Sequence, residues 1–256
     1  MEEKVRLGGM ALQNGVLVHG PTAWACAVRN DDGELKVVAR RKRFTAASVR
    51  SPLFRGPARI AEVFALLPTV KRALPEATLP MERSRALVSM AVTAGAVQAL
   101  KRARLAPAVR ELAAALLSLA PAALVLREGE IAAYHGAEHM TIGAYEHGAD
   151  RPKEHERCGS HLIGPLLLTT AAGNVAAERA PASLRPAARA AATVGALAAS
   201  VETFGWMTRN PEHAVARALA WPGHELQHRF ATREPTAEQL EVAEAALQAC
   251  LELERA

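Results

Sequence analysis

The chain has 256 residues, half of them hydrophobic and only 4% aromatic, and carries a formal net charge of +5. That length can bury a substantial core as one larger domain or two small ones. The basic residues are scattered or in short clusters such as Arg40-Arg41-Lys42-Arg43 without interleaved aromatics, which argues against nucleic-acid readout and for a solvated face or a membrane-surface contact.

Cys26, Cys158 and Cys250 form no C-x-x-C pair, so a disulfide framework is not expected and a reducing compartment is. The opening Met1-Glu2-Glu3-Lys4 reaches Gly8-Gly9 without an apolar signal segment, so the N-terminus is expected in the cytoplasm. From Val5 to about Phe44 the pattern is strand-like. Asn14-Gly15 predicts a hairpin turn between two apolar runs, and a second pair of strands is expected on either side of Asn30-Asp31-Asp32-Gly33.

Helical periodicity takes over after Ser51-Pro52. Ile60, Val63, Phe64, Leu67 and Val70 form one apolar stripe, closed by Pro75 and Pro80. Four Ala/Leu-rich stretches follow, at 87–100, 112–126, 162–177 and 190–207. None is an unbroken apolar run of membrane-spanning length; Pro121, Pro165, Asn174 and Glu202 interrupt three of them. They suit either weak spans of a small bundle or the helices of a soluble one. At the C-terminal end, Thr236 with Gln239 predicts a capping box, ahead of a buried stripe of Leu240, Ala243, Leu247, Cys250 and Leu251.

Between the second and third stretches stands His135-Gly136-Ala137-Glu138-His139, the order H-x-x-E-H. Two histidines four residues apart on a helix share a face, about 6 Å apart along the axis, and both can reach one Zn²⁺. The glutamate of this signature serves as general base to a water, which makes Glu138 the candidate catalytic residue. Glu146 lies only about 20° round from His135 but about 10.5 Å beyond His139 along the axis. It is therefore expected to back up a ligand and not to bind the ion itself.

A third ligand must come from elsewhere. His155 and Cys158 follow after a short loop, with Arg157 between them to lower the thiol pKa and His161 just beyond at a helix start. Glu202, a lone carboxylate in an apolar stretch, is the other candidate. Two histidines with Glu202 would leave an open, catalytic position; two histidines with His155 and Cys158 would make a closed, structural site. His224 and His228 form a second i,i+4 pair that suits a solvated helix face equally well.

Tyr134-His135-Gly136-Ala137-Glu138-His139, continuing to Tyr145-Glu146, resembles the central motif of the YqhQ-like proteins, a bacterial family of unknown function described as predicted metal-dependent enzymes. Gly8-Gly9-Met10-Ala11 through His19-Gly20-Pro21, then Arg55-Gly56, His155 with Arg157-Cys158-Gly159, and Pro222-Gly223 through Thr232-Arg233-Glu234-Pro235 are similar to its other motifs and in the same order. The resemblance implies a multi-spanning membrane protein whose His-Glu-His and Cys motifs flank hydrophobic helices. It also places Glu202 where the family carries a Tyr-Glu pair. The chain departs at Met140, Glu156 and His161, where lysine, proline and an aromatic are usual, and its apolar helices are shorter and more polar.

These readings combine into an α+β chain, with an N-terminal antiparallel sheet over 1–50 and a helical bundle over 51–256 carrying the candidate site. The expected function is a zinc hydrolase, or one using another divalent transition metal, on the cytoplasmic side of the inner membrane. Membrane lipid or a membrane protein is its expected partner. The alternative is a non-catalytic membrane-associated scaffold or assembly factor with a structural metal or polar core. A thiol protein centred on Cys158 would lack a nearby resolving cysteine.

Overall fold

The computed structural model describes residues 4–80, 82, 84–127 and 130–256, excepting the side chains of 84–86, 107–108 and 126–127; the first three residues of the opening run fall outside it. The fold is α+β. Strands β1 (Gly8–Ala11), β2 (Gly15–His19), β3 (Ala23–Arg29) and β4 (Leu35–Arg41) form an antiparallel meander in the order β1-β2-β3-β4. The β3–β4 connection turns at Gly33, whose φ of +81° is the left-handed conformation that a glycine adopts without a steric penalty.

The turn falls one residue earlier than expected, at Gln13-Asn14, because Leu12 pairs with Gly15. Leu12 N–H donates to Gly15 O, and Asn14 uses its side chain to hold neighbouring segments, donating to Arg29 O and Glu76 O and accepting from Thr78 N–H. Asn14 thus joins the sheet to the chain that leaves the first helix.

Helices α1 (Pro52–Ala73), α2 (Ser84–Lys101), α3 (Pro107–Ser118), α4 (Ala120–Arg127), α5 (Ile131–His147), α6 (Ile163–Glu178), α7 (Arg185–Arg209), α8 (Ala214–Leu226) and α9 (Ala237–Arg255) follow, with a π-helical turn at Gln227–Ala231. Strand β3 explains how sheet and helices combine. Its side chains alternate between two buried faces, Ala23, Ala25 and Ala27 on one and Trp24, Cys26 and Val28 on the other. The small alanines let α9 lie close, against Val242, Ala243, Ala246 and Cys250, with α5 beside it. The larger face packs on Leu66, Val70 and Leu74 at the end of α1.

On α1 the buried residues are Gly56, Leu66 and Val70, whereas Phe64 is 53% exposed. The expected stripe is only partly buried because Phe64 faces a cavity, which Leu67 also lines while it packs on the core beneath the sheet. The capping box at Thr236 is present in both directions, and the stripe expected below it packs against the sheet.

The four apolar stretches become α2, α3 with α4, α6 and α7. Among the described residues no helix is long and apolar enough to cross a membrane, which corrects the multi-spanning arrangement that the resemblance implies. Polar groups are built into these helices instead. Glu111 on α3 is 3% exposed and accepts from Asn174 of α6 at 2.8 Å, while Arg110 pairs with Glu178. A buried carboxylate with such partners suits a packed bundle.

Candidate metal centre

Helix α5 is buried along most of its length. It turns Tyr134 and Ala137 into the core shared with the sheet and α9, and presents His135, Glu138 and His139 to a cavity of about 730 Å³. Gly136 is small for a reason on the opposite side: a Cβ there would stand 2.1 Å from the carbonyl oxygen of Arg233. The segment after the π-helical turn packs directly on α5, with Arg233 N–H donating to Ala132 O at 2.8 Å.

That close packing orients both imidazoles. His135 Nδ1 lies 2.8 Å from Ala231 O, and His139 Nδ1 lies 2.7 Å from Lys153 O. A carbonyl only accepts, so each Nδ1 carries a hydrogen, which in a neutral ring leaves the lone pair on Nε2. This is the arrangement metal-binding histidines use, with the far nitrogen fixed by a carbonyl. Burial and the neighbouring His135 hold the His139 imidazole far below its ordinary pKa, which keeps it neutral and able to bind a cation.

Cys158 enters from the loop before α6, its sulfur 3.6 Å from His135 Nε2. Ligand atoms of His135, His139 and Cys158 all lie within 4.8 Å of one another. Two groups sharing a tetrahedral zinc by one nitrogen and one sulfur bond stand about 3.5 Å apart, so the spacing fits the donor set. Burial pushes the Cys158 thiol up, and Arg157 does not reverse this, because its guanidinium is turned onto Glu146.

Glu138 is 6% exposed and lies over the start of the sheet. Alternation in the β1–β2 ladder explains its partner. Leu12 N–H bonds across to Gly15, so the N–H of Ala11 points away from β2, and the Glu138 carboxylate accepts from it. Gly9 leaves the space: a Cβ there would meet Glu138 Oε1 at 2.3 Å. Burial pushes the Glu138 carboxyl up to about 7, in the range of a general acid or base.

The remaining predicted residues divide. His155 is beside the cluster, its ring centroid 5.4 Å from that of His139, but both its nitrogens are engaged. Nδ1 accepts from Arg157 N–H, and Nε2 faces Glu146 Oε2 at 3.2 Å. Glu146 therefore ties together His155 and Arg157 from behind the site, and His155 lies outside the ligand trio. Glu202 is not brought to the cavity at all. It sits on α7 and pairs with Arg55 of α1, next to Gly56, where the missing side chain lets Val201 approach.

His161 falls in the 3₁₀ turn before α6, as a helix start, and is buried. His228 is exposed and bonds Glu154 at 2.9 Å. The carbonyls of Ala231 and Lys153, the Ala11 amide and the clearances at Gly9 and Gly136 had no individual signal. The Gly8-Gly9-Met10-Ala11, central Tyr134–His139 and Thr232-Arg233 motifs marked the neighbourhoods of some of them.

An α+β chain with a His-His-Cys donor set on the wall of a cavity is thus defined by its own geometry as a candidate metal protein. The chain belongs to DUF1385, a family of proteins of unknown function, which it matches over residues 62–253; YqhQ-like is a name used within that family. The matched span holds α5, Cys158 and the segment after the π-helical turn, while β1 lies outside it. No curated protein and no solved structure matches the chain.

Proposed function

We propose that this protein is a metal-dependent hydrolase of an acyl bond, with His135, His139 and Cys158 holding a zinc or similar divalent ion. The observation that carries this reading is the convergence of those three ligand atoms within 4.8 Å, with each histidine fixed through its other nitrogen. A bound ion would supply Lewis acidity to the substrate carbonyl and acidify a water. Glu138 takes the proton of the attacking water and delivers it to the leaving group. The Ala11 amide holds that carboxylate in place, and the buried wall of the cavity excludes competing solvent. His155, the next donor, is occupied by Glu146 and the Arg157 amide, which supports three protein ligands and an open fourth position over the closed site a scaffold would need.

We further propose that the protein works at a membrane surface. Leu87, Val88 and Val92 on α2 and Val109 and Leu116 on α3 are all more than half exposed, an unusual apolar display for helices facing water.

Elemental analysis of purified protein tests the metal. Wild type should carry about one divalent ion per chain, and His135→Ala and His139→Ala should carry almost none. Substoichiometric metal that is unchanged in both variants overturns the reading. Glu138→Gln separates enzyme from scaffold: metal content should stay at the wild-type level while hydrolysis of acyl substrates falls about 10²–10⁴-fold.

A further inference from the structure

The cavity beside Glu138 is built in two unequal parts. Apart from Ser118, whose hydroxyl donates to Ala115 O, its polar side chains come from α5 and the 155–159 loop. The other walls are apolar: Leu67 from α1, Leu79 from the segment after it, Met90 from α2, Val125 from α4 and Ile142 from α5. Phe64 and Met90 line the cavity yet are 53% and 42% exposed, so they stand at its mouth. At about 730 Å³ the space lies within the roughly 300–1,000 Å³ range of sites that enclose a small ligand.

From this segregation we infer that the cavity holds the acyl chain of a lipid-like substrate, with its carbonyl end at His135, His139 and Glu138. A sugar or nucleotide would leave its hydroxyls or phosphates against the side chains of Leu67, Leu79 and Met90 without partners, which is unfavourable. An alkyl chain needs no hydrogen bonds there and is stabilised by every methylene it buries. The polar wall then meets the one polar part such a ligand has. The mouth fits the same chemistry: α2 carries Met90 and also exposes Leu87 and Val88, giving an apolar approach from a bilayer or micelle.

The head-group assignment rests on the hydrolase reading; the chain-binding assignment does not. In the full step, water oxygen bonds to the acyl carbon and the bond to the leaving alcohol or amine breaks. The water proton passes through Glu138 to that leaving group.

The test is binding of an anthroyloxy-labelled stearate to the full chain, followed by displacement with unlabelled fatty acids from hexanoate to stearate. Wild type should bind one probe per chain, displaced more tightly as the chain lengthens. Met90→Arg at the exposed mouth and Ala122→Phe in the lining should each weaken binding at least tenfold with unchanged thermal melting. The His135→Ala/His139→Ala variant should still bind the probe. Probe binding together with absent metal would sink the hydrolase reading and leave this one standing. Stoichiometric metal with no probe binding would do the reverse. Equal binding by wild type, Met90→Arg and Ala122→Phe, or displacement by an unacylated apolar peptide as effective as stearate, would overturn the acyl-chain assignment.

Discussion

Three side chains with different natural charge states meet at this centre, and burial acts on each in a direction that favours neutrality. His139 is pushed down, Glu138 up to about 7, and the Cys158 thiol up. Cys158→Ser is expected to lower metal affinity at least tenfold while leaving the melting temperature of the metal-free protein within a few degrees, because serine fills nearly the same space. Isothermal titration with Zn²⁺ checks the affinity, and thermal melting of the metal-free protein checks the stability. That His135 and His139 share one helix face could be read directly, since helix geometry alone puts them there, with Glu138 beside them. Choosing the third ligand could not, because His155, Cys158 and Glu202 have equally suitable chemistry. The choice depends on which of them already has a partner: His155 has Glu146, Glu202 has Arg55, and Cys158 faces His135.

At the level of elements, α5 inverts an ordinary expectation. In an exposed helix, Gly→Ala stabilises by about 1 kcal/mol. At Gly136 the added methyl would meet a backbone carbonyl at 2.1 Å. Gly136→Ala should therefore destabilise the fold by about 1–3 kcal/mol and reduce metal binding, measured by urea unfolding and metal content. A second expectation belongs to the entry into α1. Burial opposes ionisation of Glu62, but hydrogen bonds from Thr45 N–H, Ala46 N–H and the Thr45 hydroxyl outweigh it and hold the carboxyl below its usual range. A lowered carboxylate pKa stabilises the fold above the ordinary value of 4.5 and loses that contribution as pH falls through the lower folded value. Glu62→Gln should therefore be less stable than wild type at pH 7, with the gap in unfolding midpoint closing below about pH 4. Strand and helix positions were largely legible from turn residues and periodicity. The buried face of α1 was not, because Phe64 answers to a cavity that periodicity does not encode.

Across the whole molecule, the sheet lies between α1 on one face and α5 with α9 on the other, and the candidate centre sits where β1, α5 and the 153–159 loop come together. A ligand that binds only the folded state stabilises it, by about 2.7 kcal/mol at a hundredfold excess over Kd. Chelation should thus lower the melting temperature of the metal-loaded wild type by several degrees and leave His135→Ala/His139→Ala unmoved, read by differential scanning fluorimetry. The α+β class followed from strand signals giving way to helical ones. Among the described residues no helix is both long and apolar enough to span; α3 with 12 residues and α6 with 16 are short, and Glu111–Asn174 and Arg110–Glu178 join them. Asn174 is visible in the sequence as an interruption, but its partnership with Glu111 is not.

The two carbonyls that aim the histidines come from residues 153 and 231, and the amide that holds Glu138 comes from residue 11. The centre is therefore assembled from the beginning, the middle and the late part of the chain. During synthesis, His135 emerges from the ribosome long before Ala231 exists to orient it. A nascent chain stopped short of that residue has the H-x-x-E-H run but not its geometry. Competence at this site arrives late, as a property of the finished fold.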